Sequence, residues 1–234
     1  MRLLDLAPQS ALAIYAHPDD ADVACGGLLA RWAGEGASVH LVVVCDGSKG
    51  SDRRVDAVAL SEQRAGELAA AAGLLGLKTA VSLGVGDGDV VNDAALRETL
   101  VRCVRELTPD VVVAPDPTAV IFDNVYVNHR DHRETGWAVL DAVAPAAAMP
   151  LYFPQAGPAH QVAHLLLSGT HEPDVVADVT GAIDAKVAAV LAHASQLGDD
   201  DQGVRQLVTE RAERAGREVG VPYGEAFRRV DLAR

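Results

Sequence analysis

The stretch Ala11-Leu12-Ala13-Ile14-Tyr15-Ala16-His17-Pro18-Asp19-Asp20 passes from a short apolar run directly into a histidine, a proline and two acids. An unbroken apolar run of this length reads as a strand buried on both faces, the kind found in parallel sheets. Similar β-branched-rich runs recur at Val39–Cys45, Thr79–Leu83 and Asp110–Ala114. Between them lie stretches with helical periodicity. In Ala57–Leu77, Leu60, Arg64, Glu67, Leu68 and Leu75 are expected to sort onto opposite faces, and Ala94–Leu107 is punctuated by Pro109. Alternating strand and helix predicts an α/β sandwich with a mainly parallel sheet and right-handed crossovers. Further on, Leu165–Ser168 and Val175–Val179 read as strands, and Ala182–Ser195 and Val204–Val219 as helices. No repeat, linker or low-complexity block interrupts the chain, so residues 1–234 read as a single domain.

Composition narrows the function classes. Apolar residues make up 49% and aromatic residues 4%, which fits a core of Ala, Val and Leu and excludes a disordered chain. No apolar run approaches the roughly 20 residues that cross a bilayer. Met1-Arg2-Leu3-Leu4-Asp5 places an acid where an export signal would continue its apolar stretch, so a cytoplasmic protein is expected. A net charge of −13 argues against nucleic acid as a partner. Cys25, Cys45 and Cys103 are widely spaced with no C-x-x-C pair, and read as reduced core thiols rather than as a metal site.

Ligands of open α/β sheets bind beyond the carboxyl ends of the strands, which is where His17-Pro18-Asp19-Asp20 falls. Imidazole and carboxylate both suit zinc; the plainer reading is an Asp-Asp cap on the following helix. A second cluster, Asn128-His129-Arg130-Asp131-His132, starts another helical stretch after the long segment Pro115–Arg130, with His129 and His132 spaced to share a helix face. Its plainer reading is a helix start capped by Asn128 or Asp131. Together the clusters supply two histidines and a carboxylate for a metal, with a carboxylate and a histidine to spare. Metal-assisted amide hydrolysis needs a base for the attacking water and a group that stabilises the tetrahedral oxyanion, and the same inventory covers both.

These residues resemble the PIG-L/LmbE group of metal-dependent de-N-acetylases, which includes mycothiol- and bacillithiol-pathway deacetylases and the GlcNAc-phosphatidylinositol deacetylase. The resemblance covers A-H-P-D-D with Gly26-Gly27, Arg64-x-x-Glu67, Asp116-Pro117-Thr118, Asn128-His129-x-Asp131-His132, Ala192-His193-x-Ser195-Gln196 and Val221-Pro222-Tyr223-x-Glu225-Ala226-Phe227. It implies a three-layer α/β/α sandwich with a Rossmann-like, LmbE-like sheet. It implies Zn2+, or Fe2+, Co2+ or Mn2+ on the same donors, bound by His17, Asp20 and His132. Asp19 would be the general base on a zinc-activated water. His129 would act as an imidazolium beside the reacting carbonyl, with Asp131 orienting and charging it. The substrate implied is a small amino-sugar conjugate carrying an N-acetyl group, and the assembly a trimer or hexamer. Ala21, where relatives often carry Glu, and Arg130, where they commonly carry Pro, depart from the pattern and leave the subgroup open. An amidase of another N-acyl or thiol S-conjugate substrate is the alternative, and a catalytically silent metal- or sugar-binding homologue the remaining one.

Other residues carry less. Asp46 reads as a cleft residue or a turn cap, and Arg64 as an intrahelical partner of Glu67. His193 reads as a substrate-region or satisfied helical histidine. His40, His160, His164 and His171 read as structural, Gly26 and Gly27 as glycines that allow tight helix-to-strand packing or an approach of substrate to the backbone, and Trp137 as core. The segment Gly84–Asp89 reads as a loop at the pocket.

Overall fold

Alternate residues of the second strand serve two different cores. The computed structural model describes residues 1–198 and 200–232. Its main sheet contains β1 (Arg2–Leu3), β2 (Ser10–Tyr15), β3 (Ser38–Cys45), β4 (Thr79–Val85), β5 (Val111–Pro115), β8 (His164–Ser168), β9 (Val175–Asp178) and β10 (Gly224–Asp231); β6 (Ile121–Phe122) and β7 (Tyr126–Val127) form a separate hairpin. Along β2, Leu12 and Ile14 enter one hydrophobic cluster while Ala11, Ala13 and Tyr15 enter the other. The period-two pleat makes an unbroken apolar run serve both faces, which is why its sequence shows no alternation.

The helices are α1 (Asp20–Gly34), α2 (Ala57–Leu75), α3 (Ala94–Leu107), α4 (Arg130–Asp141), α5 (Ile183–Leu191), α6 (Ala194–Leu197) and α7 (Asp201–Arg217). Helices α1, α2 and α5 pack together on one face, and α3, α4 and a π-helical turn at Ala142–Ala147 on the other. The sheet order is β1-β9-β10-β8-β5-β2-β3-β4. All neighbours are parallel except β10, which runs antiparallel to both β8 and β9. This is the expected three-layer α/β/α sandwich.

Several local expectations are corrected. Leu60, Arg64, Glu67, Leu68 and Leu75 do not divide between opposite faces of α2; all are buried on one face. The segment 115–130 is not structureless, because it holds the β6–β7 hairpin. The helix expected over 182–195 breaks at Ala192–His193 into α5 and α6. Trp137 is half-exposed rather than core.

Two departures from regular geometry position the site. Helix α1 is kinked at Cys25, whose φ and ψ of −144° and 15° are not helical. The Glu225 carboxylate on β10 accepts from Gly27 N at 2.9 Å and Leu28 N at 2.8 Å, so it caps the second part of α1. Lys186 on α5 meets that carboxylate at 2.5 Å and donates to Val23 O at 2.8 Å, on the other side of the kink. Gly27 also abuts Val179 so closely that a Cβ there would lie 2.8 Å from the Val179 Cβ, which makes it a packing glycine as expected. On α4, Gly136 lets the helix ride directly over the end of β5, since a Cβ would fall 2.6 Å from Pro115 O.

Candidate active site

The carboxyl end of β2 delivers His17 to a half-buried niche, and α1 and α4 begin on either side of it. Asp19 occupies the cap position of α1, yet its side chain makes no capping hydrogen bond. It pairs instead with Arg64 Nη2 at 2.7 Å. Asp20 accepts from His17 N at 2.7 Å through Oδ2 and lies 3.1 Å from His132 Nε2 through Oδ1. The Asp-Asp capping reading therefore fails for both acids. At α4 the cap is the His129 ring, whose Nδ1 accepts from Asp131 N at 3.2 Å. Asn128 and Asp131 do not cap it. Asn128 donates to Ala119 O at 2.8 Å, and its Oδ1 lies 2.9 Å from His132 Nδ1. That contact fixes the His132 tautomer and leaves Nε2 free to ligate.

His17, Asp20 and His132 thus converge. His17 Nδ1 is 3.1 Å from His132 Nε2 and 3.4 Å from Asp20 Oδ2. Zinc bonds of about 2.0–2.1 Å in a tetrahedron imply donor spacings of roughly 3.3–3.4 Å. The two-nitrogen, one-carboxylate triangle fits such an ion and leaves one position for water or substrate.

The charges are strongly coupled. Burial opposes protonation of His17, but hydrogen bonds to Asp20 and Asp87 outweigh it and raise its pKa well above the usual imidazole range. Burial would raise Asp20, yet His132 and His17 hold it below the usual carboxylate range. His129 lies 4.9 Å, ring centre to ring centre, from His17. Burial and the His17 charge push its pKa below the ordinary value, against the pull of Asp131. Both influences oppose the charged form of the ring. Because Nδ1 accepts from a backbone N–H, the neutral ring carries its proton on Nε2 and remains a donor there.

Asp131 lies elsewhere than expected. Its Oδ2 accepts from Gly88 N at 2.6 Å and Cys45 Sγ at 3.4 Å, and stands 3.7 Å from His17 Nε2. Among the described residues it makes no side-chain hydrogen bond to His129; only its backbone does. Asp87, on the Gly84–Asp89 loop, was not singled out by sequence reasoning. It is buried, and its Oδ1 sits 3.2 Å from His17 Nε2. The hydrogen bond to His17 lowers its pKa. The signal available was an acid among glycines after a strand ending at this same sheet edge. Cys45, at the end of β3, was read as plain core but stands directly behind His17, where burial pushes its thiol up to about 11.

The weaker candidates resolve as well. Arg64 does not pair with Glu67: it reaches Asp19 and Gly47 O, while Glu67 receives Ser195 N at 2.9 Å and Ser195 Oγ at 2.7 Å. His193 is fully buried against Asp22 at 2.8 Å. Asp46 caps a turn, accepting from Ser48 N and Asp87 N. Arg130 is exposed and reaches Gly88 O at 3.3 Å.

Residues 12–143 match the model of the PIG-L family, described as GlcNAc-PI de-N-acetylase. The chain belongs to the PIG-L family. Among curated relatives of this PIG-L member, a diacetylchitobiose deacetylase from Thermococcus kodakarensis is 30% identical, over 81% of this chain and 70% of that protein. A 1D-myo-inositol 2-acetamido-2-deoxy-alpha-D-glucopyranoside deacetylase from Rhodococcus opacus is 30% identical, over 80% and 81%. Among solved structures, the N,N'-diacetylchitobiose deacetylase of Pyrococcus horikoshii superposes with a TM-score of 0.87 at 29% identity, covering 96% of this chain and 84% of that one.

Proposed function

We propose that this PIG-L family member is a metal-dependent N-deacetylase that hydrolyses the acetamido group of an N-acetylglucosamine-type substrate to acetate and the free amine. The observation that carries the reading is the His17–Asp20–His132 donor triangle with Asp19 and His129 beside it. A divalent cation held there, zinc in this proposal and iron, cobalt or manganese as substitutes, supplies Lewis acidity to the amide carbonyl and acidifies water.

The protein's own groups do the rest. Arg64 pins Asp19 Oδ1, which leaves Oδ2 as the oxygen that takes the proton of the attacking water. His129 Nε2–H is a donor for the developing oxyanion or for the departing nitrogen, and needs no positive charge for the first task. Asp87 and Asp131 flank His17 Nε2 and hold the ring so that Nδ1 faces Asp20 and His132. No helix among the described residues is long and apolar enough to cross a membrane. With Cys25, Cys45 and Cys103 unpaired, a reducing cytoplasmic setting follows within this proposal.

The test is acetate release from N-acetylglucosamine and its glycosides by zinc-loaded protein, with Asp19→Asn as control. Loss of turnover with retained zinc in that variant supports the assignment, and full activity removes Asp19 as base. Faster hydrolysis of bulky N-acyl compounds than of every acetyl sugar replaces the amino-sugar reading with the broader amidase one.

A further inference from the structure

We propose that His193, Ser195 and Gln196 form a positioning strap. It fixes Arg64 from outside the cleft and, through Arg64, the carboxylate of Asp19, in a role that rests on the deacetylase reading.

The strap begins at a broken helix. Between α5 and α6 the His193 backbone, with φ and ψ of −85° and 53°, leaves the helical region. The side chains at and after the break reach three separate elements. His193 Nε2 lies 2.8 Å from Asp22 Oδ2 on α1. Ser195 gives two hydrogen bonds to Glu67 on α2, its N at 2.9 Å from Oε1 and its Oγ at 2.7 Å from Oε2. Gln196 Nε2 donates to Gly50 O at 3.0 Å, in the loop after β3, and to Ser195 Oγ at 3.0 Å. α6 itself places no fully buried residue in the core, so a purely packing role explains little of this arrangement.

Those three elements are the ones that surround Asp19. Asp22 stands one turn after Asp19 at the start of α1, and Glu67 one turn after Arg64 on α2. Arg64 Nη2 donates to Asp19 Oδ1 at 2.7 Å, and its Nη1 donates to Gly47 O at 3.2 Å. The loop closes over the guanidinium. A Cβ at Gly47, whose φ is +67°, would fall 2.7 Å from Arg64 Nη1. At Gly50 a Cβ would fall 2.5 Å from the same nitrogen and 2.8 Å from Gln196 Oε1. Arg64 therefore occupies the space that side chains at two glycines would need, and Gln196 holds the second glycine by its carbonyl.

A free arginine samples many rotamers, and this enclosure removes most of that freedom. A general base must sit within hydrogen-bond reach of its water, and a displacement of about 1 Å can cost about 10²-fold in rate. Among the described residues, no hydrogen bond of Ser195 or Gln196 reaches His17, Asp20 or His132. The strap acts on turnover and leaves the metal ligands alone.

The experiment compares zinc-loaded wild type, Ser195→Ala, Ser195→Thr and Gln196→Met, each also in an Asp19→Asn background. Ser195 and Gln196 are half-buried, and thermal melting checks that the variants fold. Acetate release from N-acetylglucosamine glycosides gives kcat and KM, metal analysis gives zinc content, and amide hydrogen exchange reads residues 46–51. Ser195→Ala and Gln196→Met are expected to lower kcat about tenfold, with KM within about twofold and zinc content unchanged. Ser195→Thr keeps the hydroxyl and is expected to restore most of the loss. In the Asp19→Asn background the same changes are expected to lower the residual rate by less than about twofold, because the group they position is gone. Lower melting with unchanged kcat, no rescue by threonine, or a loss that persists undiminished without the Asp19 carboxylate overturns the strap. If no acetyl sugar is turned over, the deacetylase reading fails and exchange alone judges the strap. Faster exchange at residues 46–51 in Gln196→Met then upholds it, and unchanged exchange overturns it.

Discussion

Replacing Lys186 with Met should cost far more than a single surface charge. The Lys186–Glu225 pair has side chains 6% and 4% exposed, so removing the cation leaves a buried carboxylate whose other partners are two backbone N–H groups. It also strips Val23 O, at the α1 kink, of its donor. Breaking a buried pair from one side costs about 3–5 kcal/mol. For a domain of this size, each kcal/mol shifts Tm by about 2–4 °C, so Lys186→Met should melt roughly 6–20 °C below wild type. Glu225→Gln should cost a similar amount, because it leaves the lysine buried and unmatched. The double variant should cost clearly less than the sum, with a coupling of about 2 kcal/mol or more. The assay is urea unfolding at neutral pH across the four-protein cycle, with zinc affinity measured alongside. Since the kink separates the turn bearing Asp20 from the rest of α1, the single variants should also bind zinc more weakly. Additive effects each below about 1 kcal/mol would refute the claim that this pair bolts α1 to α5 and β10.

Three further outcomes follow from other contacts. Gly136→Ala would press a methyl group against Pro115 O, a backbone atom with little freedom to yield, and should cost about 1–3 kcal/mol. Because His132 lies one turn earlier on α4, a chelator-competition assay should also show weaker zinc binding. Arg64→Met should lower kcat by roughly 10²-fold through loss of Asp19 orientation, with zinc content unchanged by metal analysis. Burial holds the Tyr15 phenol well above its ordinary 10.0 and the Cys25 thiol above its ordinary 9.0. The folded state therefore keeps protons that the unfolded chain releases, so their stabilising contribution is intact below about pH 9 and lost as pH rises, by about 1.4 kcal/mol per pH unit for each group. Tyr15→Phe should flatten the fall of urea-derived stability above pH 10, and an unchanged slope would exclude Tyr15 as its source.

What the sequence disclosed depended on how local each determinant is. The residues of α3 form a helix that starts at Ala94 and ends at Leu107 as periodicity indicates, since Asp93 caps its first turn. That His17, Asp20 and His132 come together was legible because clustered histidines and acids are scarce, with His17 just beyond β2 and Asp20 and His132 in the first turns of α1 and α4. The inward turn of Arg64 and Glu67 was not readable. Hydropathy sends charges outward, and their partners Asp19 and Ser195 lie 45 and 128 residues away. The orientation of Asp131 was misjudged because residues two apart on a helix do not share a face with one another. β10 escaped notice because Arg228, Arg229 and Asp231 interrupt its apolar pattern, while its place in the sheet comes from β8 and β9 on either side.

That place has a consequence for how the chain is made. Until residues 224–231 emerge from the ribosome, β8 and β9 each present a row of unpaired peptide groups, and the cap on α1 is missing. The growing chain must hold two apolar strand edges apart from the time β9 emerges until β10 follows it, which is the state in which intermolecular pairing competes with folding. A chain cut before Gly224 would keep every proposed metal ligand and still be expected to accumulate as aggregate.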